Sequence, residues 1–121
     1  MASILREIVI DCTDPDLVSR FWGAVLGWEV REEEAFYWMV APGADEDRDL
    51  ALIFVPVPEQ KVVKNRLHLD VSPAGVGQED ELERLKGLGA APVDVGQGEQ
   101  PWIVLADPEG NEFCLLAARP G

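Results

Sequence analysis

The sequence predicts an α+β fold of two tandem βαβββ modules, forming a cup-shaped sheet with helices on its outer face. Three observations predict it. An alternating, β-rich segment is followed by a capped amphipathic helix and then by three short strands. The same order of elements returns at an offset of roughly 60 residues. Local detail also repeats at that offset: Leu26-Gly27 is echoed by Leu88-Gly89, and Trp38-Met39-Val40 by Trp102-Ile103-Val104. A helix covering one face of each sheet leaves the other face free to curl around something.

The first strand spans 4–12, with Glu7, Val9 and Asp11 on one face and Ile8, Ile10 and Cys12 on the other. Asp14-Pro15-Asp16 then supplies an N-cap, a proline suited to the first helical position, and an acid at the positive end of the dipole. Leu17, Val18, Phe21, Trp22, Val25 and Leu26 recur at helical spacing, which makes Phe21 and Trp22 core, and Gly27 is the stop. Strands follow over 28–31, 35–40 and 50–55, with a Pro-Gly-Ala-Asp-Glu-Asp turn between the last two. In the second module, 66–71 alternates like the first strand, and 78–88 is a helix with acids first and Gly89 as its stop. Strands over 92–95, 102–105 and 111–116 complete it, with Asp107-Pro108-Glu109-Gly110 as a hairpin turn. Module one thus covers about residues 1–56, a linker 57–64, and module two 65–121 of a single domain.

Composition narrows the function. The 121 residues are 47% apolar, and no apolar run approaches the roughly 20 residues of a membrane span. Ten Lys+Arg against 23 Asp+Glu give a net charge of −13, a field that repels phosphate backbones and anionic lipid headgroups. Neither nucleic acid nor a membrane is an expected partner. The first residues lack the pattern of a secretory signal, so a cytoplasmic location is the expectation. Cys12 and Cys114 have no metal-knuckle or redox spacing and read as small, reduced core residues.

Several segments, in order, carry a resemblance. They are Asp14-Pro15 leading to Phe21-Trp22 and Leu26-Gly27-Trp28, then Asn65-Arg66-Leu67-His68-Leu69-Asp70, then Gly89-Ala90, then Asp107-Pro108-Glu109-Gly110-Asn111-Glu112-Phe113-Cys114. Across nearly its whole length the chain resembles the vicinal oxygen chelate superfamily of glyoxalase I, bleomycin-resistance proteins and extradiol dioxygenases, and it is most similar to the small glyoxalase-like proteins. The resemblance implies a homodimer that shares or flanks its ligand cups. It also implies four metal-ligand positions facing the cup. The first-strand position falls on Glu7, an oxygen donor; the fifth-strand position falls on Arg66, a fixed cation without an acceptor. The last-strand position falls on Cys114 in place of a carboxylate, and the fourth-strand position lies in Leu52-Ile53-Phe54, which has no ligand side chain. No metal and no cofactor are therefore expected, with a displaced site of His68 with Glu7, Asp11 or Cys114 as the alternative.

Alternation places Arg66, His68 and Asp70 on the free sheet face, as it does Glu7, Val9 and Asp11. Such groups can simply satisfy one another where strands meet. The functional reading makes Arg66 an anchor for an anion and His68, oriented by Glu7 or Asp11, a general base or hydrogen-bond donor. Trp38, Phe54 and Trp102 can line the cup, Asp70 and Cys114 join the ligand contacts, and Cys114 is a nucleophile only if its thiolate is stabilised. Lys61 and Lys64 either gate an anionic ligand or serve solubility alone. The expected function is binding of a small, partly apolar organic molecule without metal. The alternative is lyase or isomerase chemistry with His68 moving a proton beside Glu7 or Asp11, and a scaffold with a closed cup is the third reading.

Overall fold

The computed structural model describes residues 2–34, 36–43 and 50–118, in two compact units over 1–60 and 61–121. In the first unit, β1 (Glu7–Cys12) keeps the predicted alternation, with Glu7, Val9 and Asp11 exposed and Cys12 buried. The helix α1 (Pro15–Leu26) begins where Asp14 Oδ1 accepts the Leu17 amide at 3.1 Å, and ends at Gly27 with φ 68° in the left-handed region. It buries Val18, Phe21, Trp22 and Val25, and the Phe21 and Trp22 rings meet edge-on with centroids 5.3 Å apart. Each large apolar side chain buried this way contributes about 1.5–3 kcal/mol.

Three further strands, β2 (Glu29–Glu32), β3 (Tyr37–Val40) and β4 (Ala51–Pro56), complete a sheet of order β1-β4-β3-β2. The β1 and β4 strands run parallel, as the helical crossover requires, and the other pairs are antiparallel. Met39, Leu52 and Phe54 form the sheet's contribution to the core, at 0–3% exposure. The helix approaches β2 so closely that a Cβ on Gly23 would lie 2.6 Å from Val30 Cγ2. Of the predicted turn after β3, residues 44–47 lie outside the described residues, as does Ala35.

The second unit repeats the βαβββ order with β5 (Asp70–Val71), α2 (Gln78–Leu88), β6 (Ala91–Pro92), β7 (Ile103–Ala106) and β8 (Glu112–Leu115). Its sheet order, β5-β8-β7-β6, matches that of the first, again with a parallel outer pair. Leu85, Leu105, Phe113 and Leu115 are its core. Asp107, 4% exposed, shapes the β7–β8 turn by accepting the Glu109 and Asn111 amides, both at 2.9 Å, on Oδ1. Both units thus have the α+β composition that the sequence predicts.

The first strand, expected over 4–12, starts only at Glu7, and two strands of the second unit are reduced further. The predicted strand over 66–71 is a strand only at Asp70–Val71; Arg66 and Leu67 form a bend, and Leu67, expected to face the helix, is 89% exposed. The cause is the partner strand. The β8 ladder reaches back only as far as Leu69, whose carbonyl accepts the Cys114 amide at 2.9 Å. Beyond it the chain is held by side chains instead, with the Asn65 amide donating to Glu112 Oε2 at 3.0 Å and Asn65 Nδ2 to Asn111 Oδ1 at 3.0 Å. The predicted strand over 92–95 is likewise reduced to Ala91–Pro92, followed by one bond from the Val93 amide to the Val104 carbonyl.

Candidate functional site

The second sheet pairs Asp70 with Cys114 and Cys114 with Val104, so these three side chains form one row across the face opposite Phe113 and Leu115. That row is the floor of a cavity of about 330 Å³. Val95, Trp102, Val104 and Leu116 give it an apolar wall, while Lys64, His68, Asp70, Gln97, Glu112 and Cys114 supply the polar side. Apolar surface with a few convergent polar groups is the usual composition of a small-molecule site.

The polar corner is tightly drawn. His68 Nδ1 lies 3.4 Å from Asp70 Oδ1 and 3.8 Å from Cys114 Sγ. Burial pushes the Cys114 thiol up, the charge and hydrogen bond of Asp70 push it further, and Lys64 opposes them. The thiol is therefore held protonated rather than activated. Two residues before Cys114 on the same strand, burial raises the Glu112 carboxyl, but Lys61 and the Asn65 amide outweigh it and hold the group below the usual carboxylate range. Lys61 Nζ sits 2.7 Å from Glu112 Oε1 with its side chain 19% exposed, so it is not one of two exposed linker lysines.

The site residues expected from sequence fall into two groups. His68, Asp70, Trp102 and Cys114 come together in the cavity wall. Arg66 is exposed at the bend and is not among the lining residues. Glu7, Asp11, Trp38 and Phe54 belong to the first unit: Glu7 and Asp11 are exposed on β1, and Phe54 is core at 0% exposure. The Trp38 ring carries the Arg31 guanidinium 4.9 Å from its centroid and donates Nε1 to Glu33 at 3.1 Å. The acid beside His68 is Asp70. Sequence reasoning missed Val95, Gln97, Val104, Glu112 and Leu116 as lining residues; the alternation of 111–116 could have found Glu112 and Leu116, which share the face of Cys114.

Of the residues on which the resemblance put metal-ligand positions, Arg66 is an exposed guanidinium without an acceptor, and Leu52 and Phe54 are buried apolar side chains. Among the described residues, one group of donors does converge: ligand atoms of His68, Asp70 and Cys114 all lie within 4.8 Å of one another. That mixed set suits a thiolate-tolerant ion such as zinc better than a hard cation, and holding it would require the thiol to lose the proton its surroundings retain.

Comparison with known proteins agrees with this architecture. The chain superposes on a glyoxalase/bleomycin resistance protein/dioxygenase family enzyme from Burkholderia phytofirmans PsJN with a TM-score of 0.66 at 18% identity, covering 93% of this chain and 97% of that one. A genomically encoded fosfomycin resistance protein, FosX, from Listeria monocytogenes gives a TM-score of 0.69 at 18% identity, covering 99% and 96%. A glyoxalase/bleomycin resistance protein from Albidiferax ferrireducens T118 gives 0.63 at 16% identity, covering 98% and 100%. No protein of curated function matches the sequence. The Glyoxalase-like domain profile matches residues 7–116, and the chain therefore belongs to the glyoxalase-like domain family of the vicinal oxygen chelate superfamily.

Proposed function

We propose that this protein binds a small, partly apolar organic molecule in the cavity of its second unit, without a resident metal. The observation that carries the reading is the cavity itself, about 330 Å³ with Trp102 and Val104 on one side and His68, Asp70 and Lys64 on the other. A volume of that size holds a ligand of modest size, and the indole gives it a large apolar contact. The anchors are His68 and Asp70 rather than Arg66. Membership of a superfamily whose structural neighbours are glyoxalase, antibiotic-resistance and dioxygenase proteins supports a small-molecule ligand.

The test is an amide-resolved NMR screen of aromatic and aliphatic fragments. Binding fragments are expected to shift the Trp102 indole and the Val104 and Cys114 amides, and Val104→Trp is expected to abolish the shifts while the fold persists. Hits confined to other surfaces would refute the reading.

Chemistry on the bound molecule is a second reading, favoured by a histidine in the cavity wall with a carboxylate 3.4 Å from its Nδ1. It assigns proton transfer in a lyase or isomerase reaction to His68 with Asp70 as its partner acid. A turnover rate unchanged by His68→Gln would remove it.

A further inference from the structure

The polar groups of the cavity wall divide into those that the protein itself answers and those left for a ligand. On the reading of the cavity as a small-molecule site, we propose that Lys64, with the Gln97 side-chain amide as a second donor, anchors a single anionic group, which makes the preferred ligand class a small apolar monocarboxylate.

The chain has three lysines. Lys61 pairs with Glu112 at 2.7 Å and Lys86 with Glu83 at 3.5 Å. Lys64, the lysine that lines the cavity, has no carboxylate partner among the described residues, and its Nζ meets only the Asn65 carbonyl, at 3.3 Å. Glu112, in the same wall, is engaged on both oxygens by residues on either side of Lys64: Oε1 accepts from Lys61 and Oε2 from the Asn65 amide. Those two contacts fasten the chain around Lys64 and leave its ammonium over. Its charge reaches the cavity floor, where it acts on the Cys114 thiol against burial and Asp70. Gln97 is half-buried in the wall, and its Oε1 accepts the Val95 amide at 2.8 Å. Only the oxygen end of the side chain can do so, which leaves the Nε2 hydrogens without an acceptor among the described residues. A carboxylate accepts from an ammonium and an amide alike. Asp70 limits the ligand to one negative charge: it has the His68 ring at 3.4 Å and no ion pair with Lys64, so a second anionic group would be repelled by it. At physiological salt the Debye length is about 8 Å, so most of the net charge of −13 is screened at the cavity and these local groups decide. Trp102 and Val104 take the apolar remainder of the ligand.

The test is a set of NMR titrations with phenylacetate, phenylacetamide and 2-phenylethylammonium, which share a ring and differ in charge. Phenylacetate is expected to bind about tenfold more tightly than the amide, the effect of one charge-assisted hydrogen bond at a water-accessible site. The ammonium compound is expected to bind most weakly. Lys64→Met should erase the preference for phenylacetate while leaving phenylacetamide binding as it was, and Lys64→Arg should keep the preference. Lys64 holds nothing but a neighbouring carbonyl, so the amide spectrum of either variant should remain that of the folded protein. Gln97→Glu, which retains an oxygen for the Val95 amide, is expected to weaken phenylacetate more than phenylacetamide. Equal binding of acid and amide, or a preference that survives Lys64→Met in a folded variant, overturns the assignment while the cavity stays a small-molecule site. Tightest binding of the ammonium compound also overturns it and makes Asp70 the charged anchor. Failure of all three to bind removes the small-molecule reading of the cavity and the assignment with it.

Discussion

Lys61 and Glu112 stand 51 positions apart in sequence and 2.7 Å apart in space, with both side chains largely shielded from water. With Asn65 donating to the second Glu112 oxygen, this pair turns a segment that reads as a linker into a strap fastened to β8. Removing one partner leaves the other's charge shielded and unpaired. Lys61→Met is expected to cost about 2 kcal/mol in urea unfolding, less than a fully buried pair because some water reaches both groups. Adding Glu112→Gln to it should recover part of that loss, and a double-mutant cycle measures the coupling.

The same carboxylate makes stability depend on acid. Its value in the folded protein is lowered, because Lys61 and Asn65 outweigh the effect of burial. The unfolded chain therefore takes up the proton first as pH falls. The stabilisation is complete above the ordinary glutamate value of about 4.3 and disappears as pH drops through the lower folded value. Glu112→Gln is expected to flatten the stability curve in that acid window while lowering stability at neutral pH, as followed by denaturant titration at a series of pH values.

Cys114 should be a slow thiol. Burial and then Asp70 push it up, which reduces the thiolate available to an alkylating reagent at neutral pH. Asp70→Asn removes the negative charge and is expected to speed iodoacetamide modification of Cys114 several-fold. Cys12, buried and donating to the Val55 carbonyl, should not respond. Peptide mapping by mass spectrometry separates the two.

Gly23 is where α1 meets β2. An added methyl there meets Val30 Cγ2 at 2.6 Å and the Trp28 carbonyl oxygen at 3.1 Å. Gly23→Ala is expected to cost about 1–3 kcal/mol through overpacking, despite the better helix propensity of alanine. Val30→Ala in the same chain should relieve part of it, and thermal unfolding of the three variants tests the pair.

Both helices were legible in the sequence because their signals are local: Asp14 and Pro15 at one start, Gly27 and Gly89 at the ends, and a spacing that puts Phe21 and Trp22 inside. The alternation of β1 was legible for the same reason. Residues 65–69 were not, since their path is set by Asn111 and Glu112, which no window around Arg66 contains. Reading Arg66 onto the same sheet face as His68 extended a strand pattern past the point where its ladder stops. His68, Asp70 and Cys114 could each be assigned to the free sheet face, but their meeting depends on the register of Asp70 with Cys114, a long-range pairing that side-chain pattern does not encode.

That register also places the corner in time. The β7–β8 hairpin closes over the short Asp107 turn, whereas His68 and Cys114 are 46 positions apart and meet only through the parallel β5–β8 pair. Pairings between distant segments bear the larger loop-closure entropy and tend to form late. The cavity is therefore built on a late-closing seam of its unit, a seam two residues long on the β5 side. Anything lodged there clasps the seam shut, and because a ligand that binds only the folded chain stabilises it by mass action, resistance to unfolding becomes a gauge of how full the cavity is.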